Sequence, residues 1–118
     1  MPSNPSSESR KQKNGASWTF LSNHAHVLVC LAKDPMSRLR DIAESVGITE
    51  RGVFRVVSEL EEAGVIHRIK EGRRNRYEIE TSRHLRHPLE ADRTVGGLLS
   101  LLLERPEAEA LGLAPLAG

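Results

Sequence analysis

The sequence predicts an α+β domain made of three short helices, a β-hairpin and one additional helix near the C-terminus. Three observations carry that prediction. In Ile42-Ala43-x-x-Val46-Gly47-Ile48, followed by Val53 and Val56, the apolar spacing is that of two short helices crossing at a tight turn. Ala43 is small where the second of these helices would cross, and Gly47 stands where the chain must reverse, often at a positive φ that glycine tolerates. Two runs, Val65 to Glu71 and Asn75 to Glu80, flank the short Gly72-Arg73-Arg74 connection, which is the pattern of a hairpin. Val95, Leu98, Leu99 and Leu102 recur at helical intervals.

Taken in order, residues 1–17 are rich in Ser, Asn, Pro, Lys and Gln and are expected to be a disordered tail. Trp18 and Phe20 alternate with polar residues and are expected to cap the edge of the core. Ser22 or Asn23 is placed to cap a helix that runs to about Lys33, with Val27, Leu28, Cys30 and Leu31 on its apolar face and Asp34-Pro35 as its stop. A very short strand is expected at Met36-Ser37. Leu39 to Val46 forms the second helix, with Leu39, Ile42, Ala43 and Val46 inward and Arg38, Arg40 and Asp41 outward. Thr49 caps a third helix whose Val53, Val56, Val57 and Leu60 recur every three or four residues, and Gly64 ends it as a left-handed cap. In the hairpin Tyr77 and Ile79 face the core while Arg76 and Glu78 face water. Thr81 to Pro88 reads as a polar link. The last helix begins near Asp92 or Thr94, and Arg105-Pro106 ends it, leaving residues 105–118 as a flexible tail. The division is therefore a tail (1–17), a compact domain (18–80), a linker with the C-terminal helix (81–104) and a second tail (105–118).

A chain of 118 residues is long enough for one domain with its own core. The formal net charge is only +1, so total charge gives no argument for a polyanionic partner. Its distribution does. Arg68, Lys70, Arg73, Arg74 and Arg76 are opposed by Glu71 alone, whereas acidic residues outnumber basic ones after Pro88. Cys30 is the only cysteine, which excludes an intrachain disulfide, and its apolar surroundings suit a small buried side chain. The first residues lack a signal-peptide core and the longest apolar run is too short for a bilayer, so a cytoplasmic protein with no membrane partner is expected.

Helix, helix, turn, helix and basic hairpin is the order of a winged helix-turn-helix. Leu39-x-x-Ile42-Ala43-x-x-Val46-Gly47-Ile48-Thr49-x-Arg51-x-Val53-x-Arg55-x-Val57-x-x-Leu60-x-x-Ala63-Gly64-Val65-Ile66, followed by Gly72-Arg73-Arg74-Asn75-Arg76-Tyr77, resembles the DNA-binding domain of ArsR/MarR-type transcription regulators. The resemblance covers Asn23 to Ile79, about half the chain. It implies a dimeric regulator that blocks or recruits transcription at a palindromic site in double-stranded DNA.

The residues support a nucleic-acid interface on their own terms. Glu50, Arg51, Phe54, Arg55 and Ser58 are the outward positions of the third helix. Arg51 and Arg55, four residues apart, share a face, and an arginine fork on guanine O6 and N7 contributes about 1–3 kcal/mol of base discrimination. The bland alternative is a solvated face paired with Glu50 and Glu59. Thr49 offers a hydroxyl and nearby amides to a phosphate. Phe54 is expected either to tuck into the core edge or to lie against a thymine methyl. Lys70, Arg73, Arg74 and Arg76 crowd the hairpin tip, where their mutual repulsion favours a neutralising polyanion.

Val95, Leu98, Leu99 and Leu102, with Gly96-Gly97 permitting close approach, are expected to form a homodimer contact. The thiolate-rich pattern of metal-sensing relatives has no counterpart. His24 and His26 fall on opposite helix sides, and His84 and His87 lack a third ligand, so no metal or other cofactor is expected. No catalytic triad order, glycine-rich phosphate loop or carboxylate pair points to an enzyme. The alternative function is a protein-interaction module whose basic hairpin meets an acidic partner. A small-molecule effector is compatible with the regulator, although no polar cavity residues stand out for it.

Overall fold

The helix-breaking pair Asp34-Pro35 separates two helices that pack across each other. In a computed structural model, which describes residues 17–113, α1 (Asn23–Lys33), α2 (Leu39–Val46) and α3 (Glu50–Glu62) precede an antiparallel hairpin of β1 (Ile66–Glu71) and β2 (Arg74–Ile79), and α4 (Val95–Leu102) and α5 (Arg105–Ala110) follow. The arrangement is a winged helix-turn-helix with C-terminal helices added. The expected disorder of residues 1–16 and the last residues of the C-terminal tail lie outside the described region.

One stripe of each element builds the core. α1 contributes Ala25, Val27, Leu28, Leu31 and Ala32, α2 contributes Ile42 and Ala43, and α3 contributes Val53, Val56, Val57 and Leu60. At about 100° per residue, the four α3 positions fall within an arc of about 100°, so the opposite arc is free for other uses. Ile66 and Tyr77 cover this core from the hairpin.

The ends of α3 are strongly fixed. Thr49 Oγ1 accepts a hydrogen bond from the Gly52 amide at 3.0 Å. At the other end the amide of Val65 donates to Leu60 O and that of Gly64 to Glu61 O, a Schellman pattern that needs the left-handed conformation Gly64 adopts (φ 76°). Arg83 Nε donates to Gly64 O at 3.3 Å and ties the chain after β2 to this corner. Gly47, at φ 86°, makes the corresponding reversal between α2 and α3.

Several local expectations require correction. No strand forms at Met36-Ser37: Asp34 Oδ1 accepts from the Met36 amide, and Asp34 O accepts from the Ser37 amide and hydroxyl, so local turn bonds replace a ladder. Among the described residues the backbone bond from the hairpin to this corner is the Tyr77 amide to Pro35 O, at 3.0 Å. Arg74 pairs with Glu71 across the hairpin, so the loop is Gly72-Arg73 rather than three residues. Trp18 and Phe20 do not cap the core. They are 67% and 91% exposed and pack edge-on against each other, with centroids 5.0 Å apart.

The C-terminal region departs furthest from expectation. Residues 81–94 form a bonded strap: Leu85 N donates to Arg93 O and Val95 N to Arg83 O, each within 2.9 Å. Thr94 caps α4 through Gly97 N, and α4 packs on α1. Arg105-Pro106 does not begin a structureless tail. After the break at Leu103, Glu104 and Glu107 form a capping box, and proline is well suited to the first turn of α5, where its missing amide costs nothing. Ala108 of α5 is buried.

Candidate nucleic-acid interface

The free arc of α3 presents Arg51, Phe54, Arg55 and Ser58. Their spacing places all four within about 100° of one another, opposite the valine stripe. Arg51, Phe54 and Arg55 are exposed and Ser58 is half-buried. The pairing expected of a merely solvated face is absent: among the described residues Arg51 and Arg55 form no ion pair, and Glu59 is bonded instead to His24 at 2.7 Å. Phe54 does not enter the core edge, since 57% of it is exposed. Thr49 and Glu50 stand exposed at the start of the helix, and the Thr49 hydroxyl oxygen already serves as the cap. Its proton remains available for donation.

The hairpin cations divide into three groups. Lys70 and Arg73 are exposed and form no ion pair among the described residues. Arg74 is exposed but donates to the carbonyl of Met36, tying the hairpin to the segment before α2. Arg76, also expected at the nucleic-acid contact, is already paired: its guanidinium lies 2.8 Å from Glu71 and 3.0 Å from Glu78. These carboxylates, Glu71 foremost, hold Arg76 even more firmly protonated than usual and already supply its anionic partner. Arg68, on the other side of the hairpin, is bonded to Glu61 of α3 at 3.3 Å. The hairpin is therefore anchored to α3 through Arg68 and to the α1–α2 corner through Arg74.

That second anchor brings out a residue the sequence reading only placed outward. Arg38, the exposed residue before α2, lies two positions from the carbonyl that Arg74 grips. The contact spans 38 residues of sequence, and no local spacing announces it.

The expected dimer positions are only partly at the surface. Val95 (2% exposed) and Leu99 (0%) are spent on the chain's own core, because α4 packs on α1. Leu98 is half-buried and Leu102 exposed, and Leu101 beside them is 68% exposed. Gly96 also serves internally: its amide donates to Thr81 O at 2.8 Å, and a Cβ there would stand 3.0 Å from that oxygen.

A separate groove of about 910 Å³ opens at the C-terminal end of α3, between α1 and the strap. Leu28, Leu60 and Leu98 lie along it, with His24, Glu59 and His87 among its polar residues, so polar groups do line a concavity that the sequence did not disclose. His84 and His87 are not on a helix: His84 Nδ1 bonds Ala91 O, and His87 Nδ1 accepts from the Leu89 amide. Among the described residues no three His, Cys, Asp or Glu side chains gather as a metal site. No helix of the described region is long and apolar enough to cross a membrane.

Compared with known proteins, residues 23–67 match the family model described as winged helix-turn-helix DNA-binding. The match runs from the first residue of α1 to the second of β1, so it contains the whole α3 face and stops short of the hairpin tip and the C-terminal helices. No curated protein and no solved structure matches the chain. The match supports DNA binding by the chain.

Proposed function

We propose that the chain is a sequence-selective, double-stranded DNA-binding transcriptional regulator of the ArsR/MarR type, non-enzymatic, acting as a homodimer in the cytoplasm. The observation that carries this reading is the α3 surface: Arg51, Phe54 and Arg55 stand exposed on one arc, without ion-pair partners among the described residues, on a segment matching a DNA-binding family model. In this reading α3 lies in the major groove. Arg51 and Arg55 read base edges, Ser58 supports them, and Thr49 with the first amides of α3 and the flanking Glu50 sets the helix end against a phosphate. Lys70, Arg73, Arg74 and Arg38 add backbone contacts that position the helix.

Dimerisation is supported by the apolar surface left after folding. Leu98, Leu101 and Leu102 of α4 face outward, and Leu98 shares the groove with Phe20. A second copy covering this surface would form a self-complementary contact and set two α3 helices on half-sites roughly 34–36 Å apart.

The test is selection of duplexes from a random pool. The proposal expects enrichment of a two-fold symmetric motif. An unenriched pool, with capture of acidic peptides instead, would replace it with the protein-interaction reading.

A further inference from the structure

Phe54 stands apart from the other apolar side chains of the matched segment. Between residues 23 and 67 it is the sole large hydrophobic left exposed; the others of the described chain, Trp18, Phe20, Leu89, Leu101 and Leu102, all lie outside that segment. Trp18 and Phe20 have each other as aromatic partners, whereas Phe54 forms no aromatic pair among the described residues. It also shares the open arc with two cations: Phe54 stands at one edge, with Arg51 three residues before it and Arg55 one after it on the same side. A benzyl group on such a face has no folding role to explain it, since the core arc of α3 is already filled by Val53, Val56, Val57 and Leu60.

Resting on the DNA-binding reading above, we infer that Phe54 recognises the C5-methyl group of a thymine beside the bases addressed by Arg51 and Arg55. Of the groups that base pairs expose in the major groove, the C5-methyl is the one apolar feature, and it distinguishes thymine from the donor and acceptor atoms around it. The two arginines fix the depth and register of the helix by bidentate bonds. The ring then meets the adjacent base step, where covering a methyl removes apolar surface from water on both partners. The specificity assigned to this face is a guanine read by an arginine next to a thymine read by Phe54, with a cytosine at that second position disfavoured because it lacks the methyl. Burial of one methyl corresponds to a preference of about three- to fivefold per site.

The experiment replaces dT by dU, one position at a time, in the best duplex from the random-pool selection. This removes the methyl and leaves pairing, charge and hydrogen-bonding atoms intact. Affinities are measured for the full chain and for Phe54→Ala, with a thermal melt to verify that the variant is folded. The inference expects a loss of about three- to fivefold at one position in each half-site for the natural chain, and a dT/dU ratio near one at that position for Phe54→Ala. Equal affinity of the natural chain for dT and dU duplexes at every position overturns it, as does a loss that persists in Phe54→Ala. Those two results leave the DNA-binding reading standing. A natural chain that prefers no duplex over random sequence overturns both.

Discussion

At the scale of single residues, the proposed DNA contact depends on which charges remain unsatisfied after folding. Arg51, Arg55, Lys70 and Arg73 have no carboxylate partner among the described residues, whereas Arg68 and Arg76 do. Arg55→Ala is expected to relax preference at one base pair by about 1–3 kcal/mol, read by competition between duplexes. Arg73→Ala should weaken all duplexes alike and reduce the salt slope by about 1. Arg76→Ala should change that slope little, because its guanidinium is neutralised within the hairpin. Equal slope losses for Arg73 and Arg76 would refute the division. The outward arc of Arg51 and Arg55 was legible in the sequence because helical periodicity fixes which arc is free; for Phe54 the core edge and the open face were alternatives, and its 57% exposure decides for the open face. The pairing of Arg76 was only half legible: Glu78 lies two residues along the same strand, on the same face, whereas Glu71 comes beside it only once the strands pair in register.

At the scale of elements, the caps of α3 and the packing of α4 decide how firmly the face is presented. Thr49→Ala removes the Gly52 cap and is expected to destabilise the fold by about 0.5–2 kcal/mol, measured by urea denaturation. Leu99→Ala should cost about 2–5 kcal/mol, because Leu99 is fully buried between α4 and the rest of the core. Leu101→Ser and Leu102→Ser should leave the denaturation midpoint nearly unchanged while lowering the mass seen by light scattering to that of a monomer. A dimer that persists in both variants would place the contact elsewhere. The junction between the hairpin and the strap carries its own pH signature: the Ser82 hydroxyl, and after it His67, hold the Glu80 carboxyl below its usual value. Its stabilisation is therefore full above the ordinary carboxylate range and is lost as pH falls through the lowered folded value. Ser82→Ala should flatten the acid side of the denaturation profile. Among these elements, α1 to β2 were legible within a residue or so, because caps, periodicity and glycine positions all agree. The C-terminus was not. A leucine stripe looks the same whether it meets its own chain or another, and Pro106 signals a helix start as readily as a helix end.

At the scale of the whole molecule, the surfaces proposed for DNA and for a second copy lie toward opposite ends of α3. The N-terminal half carries the unpaired arginines and Phe54. The C-terminal end meets the groove of about 910 Å³ and the strap, where Leu98 and Phe20 lie. A helix of 13 residues is about 20 Å long, enough to keep a duplex at one end from touching a second copy at the other. The near-neutral total charge hid this arrangement, which depends on where the cations sit rather than on how many there are. The most direct test of the claim that this face meets nucleic acid is the salt dependence of binding to a random-sequence duplex. With Lys70, Arg73 and Arg74 on phosphates, log K against log salt should fall with a slope of about −2.5 or steeper per bound chain. A flat response, or equal affinity for polyglutamate across the same salt series, would contradict it.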